Sequence, residues 1–169
     1  FDIAIQGKGY FQIQMPNGDT AYTRAGSLQM NADGQLVTAD GYQLQPNITI
    51  PQDALSVNIG ATGIVEVQVR GQTDAQNVGQ VELVSFVNEP GLDAIGNNLF
   101  LETTASGTPT TGNPGEENFG TLLQGYLETS NVNPVEEITQ LIVAQRAYEM
   151  NTKVITASDQ MMQALTQSA

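Results

Sequence analysis

Residues 10–24 read YFQIQMPNGDTAYTR and are typical of a β-hairpin. Phe11, Ile13 and Met15 alternate with polar neighbours, so one face of an extended strand would be apolar. Asn17-Gly18 follows, and this dipeptide favours the positive φ angles of a tight two-residue turn. We therefore predict two antiparallel strands that are joined at Asn17-Gly18.

Similar patterns continue after this hairpin. Turn signals at residues 31–34 (NADG) and 40–41 (DG) separate short apolar segments. Four further strands, each bounded by Pro, Gly, Asn or Asp, are predicted at residues 48–50, 55–59, 63–69 and 78–87. The fold class that we predict is mainly β: residues 1 to about 103 form an antiparallel meander, barrel-like or sandwich-like, which a long C-terminal α-helix follows.

The composition changes between residues 103 and 120, where Thr, Gly, Pro, Ser and Asn predominate. Such a segment buries little apolar surface, and we interpret it as a connector. The predicted domains are therefore a β domain with this connector at residues 1–118 and a C-terminal segment at residues 119–169.

The C-terminal segment contains a helix start at residues 133–136. Asn133 is a favourable capping residue, Pro134 suits the first helical position, and Glu136 lies where a capping-box carboxylate reaches back. No Gly or further Pro occurs from there to about residue 166. We predict a helix over residues 134–166, which at ~1.5 Å per residue is about 50 Å long.

Apolar residues cover more than half of the circumference of this predicted helix. One row repeats every seven residues and consists of Leu141, Tyr148, Ile155 and Met162. An adjoining face contains Val143, Met150, Val154, Met161 and Leu165. A two-helix coiled coil needs a narrower stripe, so we predict that these nine residues form an assembly interface with several neighbours.

Composition and charge exclude several classes of function. Five basic residues stand against eighteen acidic ones, and a net charge of -13 disfavours binding to nucleic acid or insertion at an anionic membrane. The chain has no cysteine and no histidine, the residues that supply most nucleophiles, general bases and transition-metal ligands. We predict a protein that is not an enzyme and binds no cofactor or metal.

Three short motifs resemble chemical sites, and each has a simpler interpretation. The adjacent acids at 116–117 and 136–137 do not face one cleft, although two carboxylates can serve hydrolysis. The NADG turn lacks the bidentate Glu of a calcium loop, since Tyr42 stands at that position. Residues 7–9 (GKG) lack the rest of a phosphate loop. A secreted carbohydrate-binding protein and an acid-based hydrolase remain the alternatives from other classes.

The first residue is Phe1, not Met, so we expect the protein to continue upstream. Neither a signal peptide nor a run of about 20 apolar residues occurs in the sequence.

Two groups of motifs resemble the flagellar rod and hook protein family. The first consists of residues 1–11 (FDIAIQGKGYF) and 22–26 (YTRAG), and the second of residues 127–133 (LETSNVN), 144–151 (AQRAYEMN) and 153–155 (KVI). Residues 96–103 (GNNLFLET) and 122–126 (LLQGY) are most similar to the distal rod members. Proximal rod members are the nearest alternative.

The resemblance implies a homo-oligomer, a helical rod polymer that transmits torque. In this family, N- and C-terminal helices pack as an inner coiled-coil layer, and the β domain lies outside. The implied partners are proximal rod proteins, the hook protein and the surrounding ring proteins. The implied location is the periplasm-spanning rod of the flagellar basal body, reached through the flagellar type III export apparatus. The chain lacks the N-terminal helix of this pattern, so we expect its C-terminal helix to find neighbours elsewhere.

Overall fold

The computed structural model describes residues 1–72 and 74–167, and side chains as far as residue 163. The chain divides into two compact units, Phe1–Glu128 and Thr129–Ala169. The first unit is antiparallel β structure, and the second contains one long helix. The predicted fold class, mainly β with a C-terminal helix, is confirmed.

Fourteen strands make up the described part of the first unit, which we call the β unit. They are β1 Ile3–Gln6, β2 Phe11–Gln14, β3 Thr20–Thr23, β4 Leu28–Met30, β5 Leu36–Thr38, β6 Gln43–Gln45, β7 Ala54–Ile59, β8 Ile64–Val69, β9 Gln76–Gln80, β10 Leu83–Ser85, β11 Asp93–Gly96, β12 Leu99–Leu101, β13 Thr110–Gly112 and β14 Thr121–Gln124. A short 3₁₀ turn, Glu89–Gly91, precedes β11. The helix of the second unit, α1, runs from Pro134 to Gln167.

The strands form one large sheet and three small ones. The large sheet has the order β11-β12-β3-β2-β6-β5-β4, and a three-stranded sheet has the order β7-β8-β9. β1 pairs with β14, and β10 pairs with β13. Strands distant in the sequence therefore lie side by side, which a simple meander would not give.

The predicted hairpins are present in the large sheet. β2 and β3 pair around the Asn17-Gly18 turn, with Ile13 opposite Ala21. The next two predicted turns, at residues 31–34 and 40–41, join β4 to β5 and β5 to β6. Local sequence signals were sufficient here because each turn joins two strands that pair with each other.

Two of the predicted strands differ in the structure. Residues 48–50 form only a bridge, Gln35 to Thr49, rather than a strand. Residues 78–87 divide between β9 and β10, which belong to different sheets. The N–H of Val81 still donates to the carbonyl of Gly63 beside the ladder between β8 and β9, whereas the N–H of Val84 donates to the carbonyl of Tyr10, so the chain changes partners between these two residues.

Residues 103–120, which their composition predicts to be a connector, belong to the β unit. β13 pairs with β10 within this segment, and Ser106 is fully buried with its hydroxyl donating to the carbonyl of Thr103. β14 then pairs with β1 beyond residue 118, and the compact unit extends to Glu128. The Thr, Gly and Pro residues form tight turns between packed strands, so composition alone misidentified them as a linker.

The core of the β unit has two parts. The larger part joins the sheets through fully buried aliphatic and aromatic side chains, among them Ile3, Phe11, Ile13, Leu36, Leu44, Leu83 and Leu122. The smaller part contains Tyr10, Tyr22, Val84 and Phe86. The rings of Tyr22 and Phe86 meet edge to face, with centroids 4.8 Å apart.

Candidate assembly surface

The helix begins where the sequence predicts. The side-chain oxygen of Asn133 accepts a hydrogen bond from the N–H of Val135 at 3.1 Å, and its carbonyl accepts from Glu136 and Glu137. Pro134, which has no N–H to satisfy, is the first helical residue. The expected capping-box bond, in which the Glu136 carboxylate accepts from the N–H of Asn133, does not form among the described residues. The two acids still lie in the first turn, where the helix dipole favours them.

The predicted assembly residues are exposed along the helix. Leu141, Tyr148, Ile155 and Met162, and on the adjoining face Val143, Met150, Val154 and Met161, are each between 60% and 76% exposed. The side chain of Leu165 lies outside the described residues. At 100° per residue the centres of the two rows are about 130° apart. One flat partner could not cover both rows, whereas two or more neighbours could.

The apolar surface extends to two residues that sequence reasoning missed. Ile138 and Ile142 are 57% and 44% exposed, and they lie on the N-terminal continuation of the stripe that is polar from Gln145 onward. Their i,i+4 spacing was the available signal. The first turns of α1 are therefore apolar on three faces rather than two.

The polar stripe of α1 consists of Gln145, Glu149, Thr152, Lys153, Thr156, Gln160 and Gln163. The hydroxyls of Thr152 and Thr156 donate to the carbonyls of Tyr148 and Lys153, at 3.0 Å and 2.9 Å. Glu149 and Lys153 are four residues apart on this stripe but form no ion pair; the one ion pair among the described residues joins Arg24 to Glu128 in the β unit. The stripe is exposed along its described length.

Apart from the acids at 136–137, which lie in α1, the motifs that resemble chemical sites lie in turns and bends of the β unit. The side-chain oxygen of Asn31 accepts hydrogen bonds from the N–H groups of Asp33 and Gln35, which closes the NADG turn. The carboxylate of Glu116 binds the side chain of Asn113 at 2.8 Å in another turn. Within the described residues, no three acidic side chains come together as a metal site would require. In the same part of the chain, no helix combines the length and the apolar character that crossing a bilayer requires.

Two family models match the chain. The model described as "Flagellar hook protein FlgE/F/G D1 domain" matches residues 4–67. The model described as "Flagellar basal body rod FlgEFG protein C-terminal" matches residues 123–168, which include the helix. The matches thus fall on both compact units.

The similar proteins include rod and hook proteins from several bacteria. The chain is 60% identical over 166 residues to the flagellar basal-body rod protein FlgG of Caulobacter vibrioides, which covers 98% of the chain and 63% of that protein. It is 47% identical to FlgG of Bacillus subtilis, over 97% of the chain and 63% of that protein. It is 35% identical to the hook protein FlgE of Salmonella typhimurium, over 88% of the chain and 37% of that protein.

The chain spans less than two thirds of the length of these FlgG relatives. The solved structure of the Helicobacter pylori hook protein FlgE2 matches 69% of the chain and 32% of its own length, with a TM-score of 0.38 and 18% identity, a similarity too low to support an argument. The two family models and the identity along nearly the whole chain show that it belongs to the flagellar rod and hook protein family.

Proposed function

We propose that the chain is part of a structural subunit of the flagellar distal rod, a helical tube in the basal body that transmits torque from the motor to the hook. The observation that carries this proposal is the 60% identity, along 98% of the chain, to a basal-body rod protein. The distal position rests on the similarity of residues 96–103 and 122–126 to distal rod members.

The exposed rows of α1 support the assembly role. Burial of apolar surface stabilises by about 25 cal/mol per Å², so a helix that leaves two such rows in water gains much by associating. We assign the assembly interface to the two rows, with neighbouring copies as the first partners. Proximal rod proteins, the hook protein and the ring proteins are further proposed partners. No catalytic step is part of the proposal.

A chimera tests the class of function. The segment of Caulobacter FlgG that matches this chain is replaced by the chain, and the chimera is expressed in cells that lack FlgG. We expect swimming cells, and basal bodies with complete rods by electron microscopy. Stable chimeric protein in cells without rods would contradict the proposal.

Substitutions in α1 test the interface. Ile155→Asp together with Met162→Asp places charges in the proposed contact, where an unpaired buried charge costs several kcal/mol. We expect chimeras with both changes to form no rods. Gln160→Asp is the control, because it adds a charge to the polar stripe of the same helix.

Thermal melting separates assembly from folding. The β unit should melt at nearly the same temperature in the Ile155→Asp, Met162→Asp variant, because distant sites without shared partners act independently. Rods that form normally with both changes, or a large loss of β-unit stability, would show that the helix has another role.

A further inference from the structure

Arg24 follows β3 directly, and all three nitrogens of its guanidinium group donate hydrogen bonds. Its Nε donates to the carboxylate of Glu128 at 2.9 Å. Its Nη1 donates to the carbonyls of Gly7 and Gly9 at 3.2 Å and 3.1 Å, and its Nη2 to those of Ile5 and Gly7 at 3.3 Å and 3.2 Å. Arginine has five N–H donors in a planar fork, so each of them can be engaged here. The group also lies 5.9 Å from the ring centroid of Tyr10.

These bonds connect the end of the β unit to the turn between β1 and β2. β14 ends at Gln124, and the N–H of Gly125 donates to the carbonyl of Asp2 at 2.7 Å. After Gly125 the next described hydrogen bond that ties the chain to the β unit is the one from Arg24 to Glu128. The second compact unit begins one residue later.

The two halves of this arrangement differ in strength. On one side, the carbonyls of Ile5, Gly7 and Gly9 accept hydrogen bonds from the guanidinium, and these bonds do not depend on Glu128. The ion pair on the other side is partly exposed, at 28% for Arg24 and 46% for Glu128, so salt screens it and its contribution is small. The Glu128 carboxylate can therefore dissociate from Arg24 without displacing the Arg24 side chain.

We propose that Arg24 is a positioning residue that holds residues 125–128, the last segment of the β unit, on the turn between β1 and β2. Glu128 is the releasable partner.

Spin labels test this proposal in the dilute, unassembled chain. The sequence has no cysteine, so Asp40→Cys in an exposed turn of the β unit and Leu127→Cys within the segment give two unique labels. We expect a narrow distribution of distances between the labels. Glu128→Gln should broaden it, because the amide loses the charge that Arg24 binds, and so should about 1 M salt. Arg24→Gln should broaden it further.

Proteolysis gives a second measurement on the same variants. Tyr126 and Leu127 are exposed and suit chymotrypsin. Cleavage there should be about two to five times faster in Glu128→Gln, the factor that corresponds to a partly exposed ion pair.

Matched controls remove one charge each elsewhere in the β unit. Arg70→Gln and Glu117→Gln change exposed residues, and both should leave the distances and the cleavage rate unchanged. A Glu128→Gln variant with the distances and cleavage rate of the parent chain overturns the proposal, even if Arg24→Gln broadens the distances, since Arg24 would then act only on the turn. These measurements need no polymer, so they are decided separately from the proposed function.

Discussion

Gly34 lies in the turn between β4 and β5, where its backbone contacts residues 48–50 directly. Gly34 has a φ of +81°, and its carbonyl accepts a hydrogen bond from the N–H of Ile50 at 2.7 Å. A Cβ at this position would clash with the carbonyl oxygen of Ile50. Gly41 has a similar φ of +86°, but a Cβ there would meet nothing within 4 Å.

We therefore predict that Gly34→Ala destabilises the β unit more than Gly41→Ala does. The change at Gly41 costs only the strain of a positive φ, about 1 kcal/mol. The change at Gly34 adds the displacement of residues 48–50, about 2 kcal/mol more. Urea unfolding followed by circular dichroism measures both. Equal losses would mean that residues 48–50 give way without cost.

Two tyrosines of the smaller core, Tyr10 and Tyr22, make the free energy of unfolding depend on pH in the alkaline range. Burial, and then Glu89, raise the pKa of Tyr10 above 10.0, while Arg24 opposes the shift. Burial, and then Glu102, raise the pKa of Tyr22. A raised pKa means that the folded chain keeps a proton that the unfolded chain loses.

The stability that these tyrosines contribute is therefore complete below about pH 10 and decreases as the pH rises through their folded pKa values. We predict a lower free energy of unfolding at about pH 11 than at about pH 9. In Tyr22→Phe the decrease should be smaller, because one of the two titrating groups is gone. An unchanged decrease would assign the effect to other groups.

Among the secondary-structure elements, those with local signals were predictable and those with distant partners were not. The turns at 17–18, 31–34 and 40–41 contain residues that suit positive φ angles, and each strand pairs with a neighbour in the sequence. β13 and β14 pair with β10 and β1, far earlier in the chain. Their Thr- and Gly-rich surroundings are indistinguishable by composition from a linker, so the sequence could not show the pairing.

Truncation tests where the β unit ends. A fragment of residues 1–128 keeps β14 and should fold as a stable monomer. A fragment that ends at residue 118, the boundary that composition predicts, loses the partner of β1 and the buried side chain of Leu122. Removal of one large core side chain alone costs about 2–5 kcal/mol.

We expect the shorter fragment to be unfolded or aggregated, as judged by circular dichroism and light scattering. The longer fragment is its matched control. A folded monomer that ends at residue 118 would show that the pairing of β1 with β14 is dispensable.

Across the whole molecule, charge is distributed unevenly between the two units. Residues 1–128 contain fourteen acidic and three basic residues, a net charge of -11. Residues 129–169 contain four acidic and two basic residues, a net charge of -2. Copies that approach through their β units repel each other, whereas the helices meet nearly uncharged.

We predict that salt weakens the net repulsion between copies. The screening length falls from about 30 Å at about 0.01 M salt to about 8 Å at about 0.15 M. The osmotic second virial coefficient, measured by static light scattering, should therefore be strongly positive at low salt and fall as salt is added. A coefficient that rises with salt would indicate attraction between charged surfaces.

In the candidate assembly surface, the residues that repeat at helical spacing were predictable, whereas contacts between residues distant in the chain were not. The rows that contain Leu141 and Val143 follow from helical periodicity. Ile138 and Ile142 escaped prediction because the residues on the same side of the helix from Gln145 onward are polar. The bond between Arg24 and Glu128 joins residues 104 positions apart, and no local pattern indicates it.

Gln124, at the end of β14, has a consequence for how the molecule avoids wrong contacts. Its side-chain amide donates to the carbonyl of Val57 at 3.0 Å and accepts from the N–H of Ile59 at 2.9 Å. These groups lie on the outer edge of β7, where a strand from another molecule would otherwise add. The side chain of Gln124 thus occupies two backbone groups of this edge from within the chain. At high protein concentration these groups cannot pair with a strand of another copy, which is the contact that begins amyloid-like stacking.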